Sequence, residues 1–244
     1  PRGEAAAIAD ALYVLHHNGF VPNYEKLIEH VYRRLIRPGD CVFDVGAHSG
    51  LHLRHFVDLV GPGGEVHGFE PIPALANMLM HHYADRDWVK IHPIALGAAA
   101  GRAQFNYVKN LPEMSGLRER DYNGAVAEVE LIEVQTWTLD AWAAQASPVS
   151  FLKIDIEGGE IDCLRGGVNR FFSRQRPLIS VEYGRPSYSH YGNEKTTLLD
   201  LAEQLRYTIC DVFGNPVGGR EEWNFVCDRS AWDFFLVPDE KLAD

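Results

Sequence analysis

The chain is 244 residues long and carries a formal net charge of −11, from 34 acidic against 23 basic side chains. That surplus of negative charge argues against a nucleic acid backbone as the main partner, and an apolar fraction of 46% suffices to bury the core of one large α/β domain. No apolar run approaches the roughly 20 residues needed to cross a bilayer, and Cys41, Cys163, Cys210 and Cys227 show neither CxxC spacing nor a disulfide framework, so buried thiols in a cytoplasmic protein are the expectation.

In chain order, the first apolar run, Ala5 to Val14, is interrupted by Asp10 and lacks a cleavage pattern, so it does not read as a secretion signal. Leu27, Ile28, Val31 and Leu35 then fall on one helical face, with Asn23 placed to cap its start and Pro38-Gly39 to end it. Residues 1–37 are therefore expected to form an N-terminal helical extension to a domain spanning 38–244. From Cys41 onward, strand and helix patterns alternate. Cys41 to Val45, Glu65 to Phe69 and Val89 to His92 read as strands, separated by helices over Leu51 to Val60 and from Pro73. Asn110 to Gly124 is polar and glycine-rich, either a lid or an unstructured loop. Strands follow at Phe151 to Ile156 and Leu178 to Tyr183, with a helix from Gly159 to Phe171 between them. Tyr207 to Phe213, a Gly214-Asn215 turn, and Phe234 to Val237 then suggest antiparallel pairing at the sheet edge. The pattern predicts a three-layer αβα, Rossmann-like fold with a mostly parallel sheet, whose ligands sit at the carboxyl ends of the strands.

The first strand ends in Asp44-Val-Gly-Ala-His-Ser-Gly50, where Gly46 and Gly50 let the backbone turn tightly and approach a ligand. The second ends in Phe69-Glu70-Pro71. Glu70 stands 20 residues beyond Gly50, the separation expected of an acidic group that accepts hydrogen bonds from ribose hydroxyls. A diphosphate-cradling GxGxxG pattern is incomplete, which favours an adenosyl ligand without a diphosphate over NAD. The segment Lys153-Ile-Asp-Ile-Glu157 brings Asp155 to the end of one strand, and Glu182 ends the next. Two carboxylates on one sheet edge suit removal of a proton from an acceptor, or its orientation. They have equally the chemistry to hold Mg²⁺, but no histidine or asparagine completes a metal set at these strand ends, so the metal-free form is preferred. For Glu157 and Glu160, stabilisation of a helix start outweighs catalysis. Among the histidines only His48, inside the glycine loop, is placed at a cofactor; the spacing of His52 and His55 fits a helix face as well as a metal site. Trp137 and Trp142 are expected under the sheet.

The ordered set Asp44-Val-Gly-Ala-His-Ser-Gly50, Gly68-Phe-Glu-Pro71, Ile94-Ala-Leu-Gly97, Thr138-Leu-Asp140 and Lys153-Ile-Asp-Ile-Glu-Gly-Gly-Glu160 resembles the FkbM family of methyltransferases. The resemblance runs from about Gly19 to Pro238. It implies a class I methyltransferase fold with a seven-stranded sheet, S-adenosylmethionine as donor, and O-methylation of a sugar or polyketide-type natural product hydroxyl. Carried over by position, Asp44, Gly46, Ala47, His48 and Gly50 form the donor loop, Glu70 takes the ribose, and Ala95, within Ile94 to Leu96, flanks adenine. Asp155 belongs to both the donor and the catalytic sets, and Glu182 completes the latter. Alternatives at this stage are N- or carboxyl methylation from the same pocket, and a non-catalytic adenosyl-ligand binding module, which would have no need of a base at Asp155 and Glu182.

Overall fold

The computed structural model describes residues 3–122, 124–144, 147–229 and 231–242; Pro1 and Arg2 of the expected extension, and Asn123 of the polar segment, lie outside the described residues. Among the described residues ten strands follow in chain order: β1 (Cys41–Val45), β2 (Glu65–Phe69), β3 (Val89–His92), β4 (Ala95–Leu96), β5 (Gly101–Val108), β6 (Val129–Trp137), β7 (Val149–Ile154), β8 (Leu178–Glu182), β9 (Tyr207–Cys210) and β10 (Asp233–Pro238). Seven form one sheet in the order β3-β2-β1-β7-β8-β10-β9. All pairings from β3 to β8 are parallel, and β10 runs antiparallel between β8 and β9. This is the expected mostly parallel sheet with an antiparallel end. The central strand β1 is buried at every position, as a strand covered on both faces must be.

Helices cover both faces, giving the three-layer αβα, Rossmann-like architecture. They are α1 (Glu4–His17), α2 (Tyr24–Leu35), α3 (Leu53–Val60), α4 (Pro73–His82), α5 (Leu139–Trp142), α6 (Glu160–Arg165), α7 (Phe171–Arg174), α8 (Arg185–Tyr188), α9 (Thr197–Leu205) and α10 (Arg220–Val226). In α3, Leu53, Phe56, Val57 and Val60 are buried, the i, i+3, i+4, i+7 spacing of a core-facing stripe. They pack with α2 and with Val42 and Phe151 of the sheet. The opposite face receives α1, α5, α6, α7, α9 and α10. Asn23 does cap α2, its side chain accepting from the Lys26 N–H at 3.0 Å. The buried stripe of that helix centres on Ile28 and Tyr32, with Ile36 just beyond, rather than on Leu27, because the Tyr32 ring fills the space between Phe56 and Phe151.

Three features depart from expectation. β4, β6 and β5 form a separate three-stranded sheet, absent from the strand reading because the 20 residues between β5 and β6 hide the hairpin. The helix expected over Gly159 to Phe171 is split into α6 and α7, with Gly166 at the break; a Cβ there would strike the carbonyl of Gly97. Finally, the Gly214-Asn215 turn does not join β9 to β10. Asp211 folds that turn back on itself by accepting from the N–H groups of Phe213 and Asn215, and α10 intervenes before β10. Among the described residues no helix is long and apolar enough to cross a membrane.

Candidate active site

Where β1 gives way to α3 the chain turns sharply, with Gly46 and Gly50 both at φ +84°. The Gly46 and Ala47 N–H groups donate to the Phe69 carbonyl at 3.0 and 3.1 Å. A Cβ on Gly46 would run into the carbonyl oxygen of Asp155. Gly46 therefore also permits the loop after β1 to lie against the loop after β7, and Asp155 N–H donates to the Val45 carbonyl at 3.1 Å. Asp155 stands just past the end of β7, which closes at Ile154.

Glu70, at the end of β2, is 3% exposed. One of its carboxylate oxygens accepts the His48 N–H at 2.8 Å and the other the Ile72 N–H at 2.8 Å. It thus fixes the glycine loop as well as facing the cavity. Each oxygen keeps a second lone pair. Burial raises its pKa to about 7, against the pull of those two N–H groups.

Between these loops lies a cavity of about 360 Å³ at the carboxyl ends of β1, β2, β7 and β8. Gly46, Ala47, His48, Glu70, Ala95 and Asp155 all line it, and Glu182 closes its far side. Asp44 and Gly50 do not reach it. Asp44 sits beneath the wall, 1% exposed, with Lys153 Nζ at 3.6 Å from Oδ1. Gly50 packs on Leu79.

The far wall is a chain of ionisable groups. Lys153 on β7 is buried, and its ammonium stands 3.2 Å from Asp155 Oδ2. Burial opposes that charge, but Asp155 and Asp44 outweigh it and hold the amine protonated. Burial opposes the Asp155 charge too, and Lys153 with a hydrogen bond from Glu182 outweighs it, so this carboxyl lies below its usual range. Glu182 goes the other way: burial, then the Asp155 charge, push it well up. The pair is thus a carboxylate beside a carboxylic acid sharing a proton. Asp233 of β10, register partner of Glu182, is raised to about 7 by burial and by Asp155 and Glu25.

Several wall residues were not singled out from sequence. Lys153 carried a detectable signal, lying two residues before Asp155 and so on the same strand face. Glu25, Ile28 and Tyr32 of α2 line the cavity, and their i, i+3, i+7 spacing marks one helix face. Asp233 had no signal, because its place depends on the β8–β10 register. His52 also lines the cavity and meets Glu25 at 3.2 Å, while His55 meets Glu29 at 3.0 Å. Both histidines are thereby joined to α2. Phe105 of β5, Pro112, Glu113, Ser115 and Leu117 form the remaining side, so the segment after β5 is part of the enclosure. It is tied down through the Arg118 N–H, which donates to the Tyr191 hydroxyl at 3.3 Å, and through an ion pair between Arg120 and Glu157. Trp142 packs under the sheet against Phe43 and Phe69.

Asp155, Glu157 and Glu182 each offer an oxygen within 4.8 Å of the others. Two of them are already compensated, Asp155 by Lys153 and Glu157 by Arg120. A divalent cation here would have to stand beside a buried ammonium, so the set does not fit one well. Glu160 is not catalytic in placement: it is 1% exposed and accepts the Ile156 and Gly158 N–H groups.

The family profile described as the methyltransferase FkbM domain matches residues 44–209. The 31-O-demethyl-FK506 methyltransferase FkbM of Streptomyces tacrolimicus is 29% identical over 176 residues, 59% of this chain. The chain spans 66% of that protein's length, just under two thirds. Among solved structures, fibrillarin of Aeropyrum pernix with bound S-adenosyl-L-methionine aligns at 18% identity and a TM-score of 0.47, over 83% of this chain and 68% of its own. A SAM-dependent O-methyltransferase of Thermotoga maritima aligns at 12% identity and a TM-score of 0.47, over 92% of this chain and 70% of its own.

Proposed function

This chain belongs to the FkbM methyltransferase family, and on that premise we propose that it transfers a methyl group from S-adenosylmethionine to a hydroxyl of a sugar or polyketide-type natural product. The observation that carries the reading is one cavity with two unlike walls: the glycine loop with Glu70 on one side, and the Lys153–Asp155–Glu182 group on the other.

The near wall fits an adenosyl donor. His48 Nε2 is buried without a partner, the spare lone pairs of Glu70 suit ribose hydroxyls, and Ile94, Ala95 and Leu96 give an apolar flank for adenine. Residues 46–52 contain no lysine or arginine, so nothing in the loop is charged to hold a diphosphate. The donor supplies an electrophilic methyl on a sulfonium. The chain's part is alignment and proton removal. Asp155, kept ionised beside Lys153, accepts the hydrogen bond of the acceptor hydroxyl and aims its lone pair. With that donor bound, formation of the C–O bond and return of the C–S electron pair to sulfur would make the hydroxyl proton strongly acidic. Even a carboxylate of lowered pKa then takes it, and Glu182, protonated against Asp155, fixes the orientation. The natural-product acceptor is supported by the name of the Streptomyces tacrolimicus relative.

Calorimetry against S-adenosylmethionine and NAD, followed by mass spectrometry of hydroxylated acceptors incubated with methyl-labelled donor, tests the reading. Binding of the methyl donor and label on an acceptor oxygen are expected. Binding of NAD alone, or label confined to nitrogen or carboxylate, overturns it.

A further inference from the structure

At the opposite end of the sheet, away from the cavity, a second cluster of ligating side chains lies at the amino ends of the strands. Cys41 and Glu65 are register partners across β1 and β2. His67, two residues beyond Glu65, falls on the same sheet face. The thiol of Cys41, a carboxylate oxygen of Glu65 and a ring nitrogen of His67 all lie within 4.8 Å of one another. Cys41 is a free thiol, 3% exposed, and His67 is 4% exposed.

The spacing of His67 and Glu65 matches that of two ligands of one metal ion. Zinc binds imidazole nitrogen and carboxylate oxygen at about 2.0–2.2 Å and thiolate sulfur at about 2.3 Å, which sets neighbouring tetrahedral ligands about 3.3–3.7 Å apart. His67 Nε2 and Glu65 Oε2 stand 3.2 Å apart, sharing one proton where an ion would bridge them. The other nitrogen, His67 Nδ1, is hydrogen-bonded to His92 Nε2 at 3.0 Å. Such an outer contact fixes the ring of a metal-ligating histidine and commits its far nitrogen to the ion. Lys90 Nζ lies 3.5 Å from the same Glu65 oxygen and is half exposed, so a positive charge already occupies this spot on a side chain free to leave it.

We propose that Cys41, Glu65 and His67 form a site for a single Zn²⁺-class ion, with His92 as the outer support of His67 and the fourth position open to water. A borderline-soft divalent ion fits one thiolate, one imidazole and one carboxylate better than Mg²⁺ or Ca²⁺, which require oxygen. Its role is structural, joining β1 to β2 below the strands that carry the glycine loop and Glu70. The proposal does not depend on the methyl-transfer reading.

The test uses the full chain, reduced and stripped with chelator, then titrated with Co²⁺ and read by absorption. A thiolate-to-cobalt charge-transfer band is expected, saturating at one equivalent and bleached by Zn²⁺. Cys41→Ser removes that band while circular dichroism stays native. Glu65→Gln weakens Co²⁺ by about tenfold or more, whereas Lys90→Ala, which removes the competing ammonium, tightens it. No charge-transfer band in the wild type, or a band that persists in Cys41→Ser, overturns the site. If Cys41→Ser fails to fold, the other two variants decide: Co²⁺ affinity unchanged from wild type in both overturns it.

Discussion

The ammonium of Lys153 stands 3.2 Å from Asp155 and 3.6 Å from Asp44, so one buried cation serves two carboxylates. Both Asp44 oxygens are buried, and Lys153 is the leading influence that offsets the cost of that burial. Removing one member of such a group leaves uncompensated buried charge. Lys153→Met should therefore destabilise the fold by about 3–5 kcal/mol, read from urea unfolding at neutral pH. A loss below about 1 kcal/mol would show that water already solvates these carboxylates.

Asp155→Asn keeps the shape of the wall and removes the charge. Donor affinity should change little while turnover falls by roughly 10²–10⁴-fold. Because Lys153 and Arg120 already neutralise the carboxylates, chelator should cause no loss of wild-type turnover that Mg²⁺ restores. Loss of activity in chelator with recovery on adding Mg²⁺ would instead give the carboxylates a ligating role.

Gly46→Ala probes the contact between the loops after β1 and β7. The added Cβ meets the Asp155 carbonyl, and φ is +84°, so the substitution is strained in both senses. A loss of about 1–3 kcal/mol or more is expected, together with loss of donor binding. Unaltered stability with abolished binding would mean that the Asp155 loop yields and the glycine serves the ligand alone.

Glu70, Glu160 and Asp233 each have a pKa raised to about 7, with burial the leading cause. Between the ordinary carboxyl values, 4.5 for glutamate and 3.8 for aspartate, and about 7, the folded chain holds protons that the unfolded chain has released. Stability is then fully present below the ordinary values and is lost as pH rises through about 7. Glu160→Gln should flatten this decline, by on the order of 3 kcal/mol between pH 4.5 and 8. Denaturation midpoints across that range check it, and an unchanged slope would count against a protonated Glu160.

Arg120 joins the segment after β5 to Glu157. Arg120→Ala should raise KM for the acceptor several-fold and leave donor affinity intact, as calorimetry and steady-state rates would show. A matching loss of donor affinity would place the segment over the donor instead.

The main sheet was legible because its strands are short apolar runs such as Cys41 to Val45, bounded by glycines and helices of regular period. The glycine-loop wall of the cavity was legible for a related reason, since Gly46, His48 and Glu70 are fixed by local turns and a 20-residue spacing. The β5–β6 hairpin escaped notice although Ala103, Phe105 and Tyr107 alternate with polar residues, because its partner strand lies beyond a long loop. The acidic wall was half visible. Asp155 and Glu182 end strands whose order is implied by βα alternation, whereas Asp233 joins them only through an antiparallel register, and Glu25 only through the packing of Tyr32.

That packing has a consequence for how such a protein diversifies. Glu25, Ile28, Tyr32 and Asp233 face the cavity, yet all four fall outside residues 44–209 that the family profile matches, although inside the wider resemblance from about Gly19 to Pro238. Heritable change in α2 or β10 can reshape one side of the chamber while the glycine loop and Glu70 stay constant. Exchange of residues 23–36 with those of a relative is thus a route to a new selectivity that leaves the shared machinery untouched.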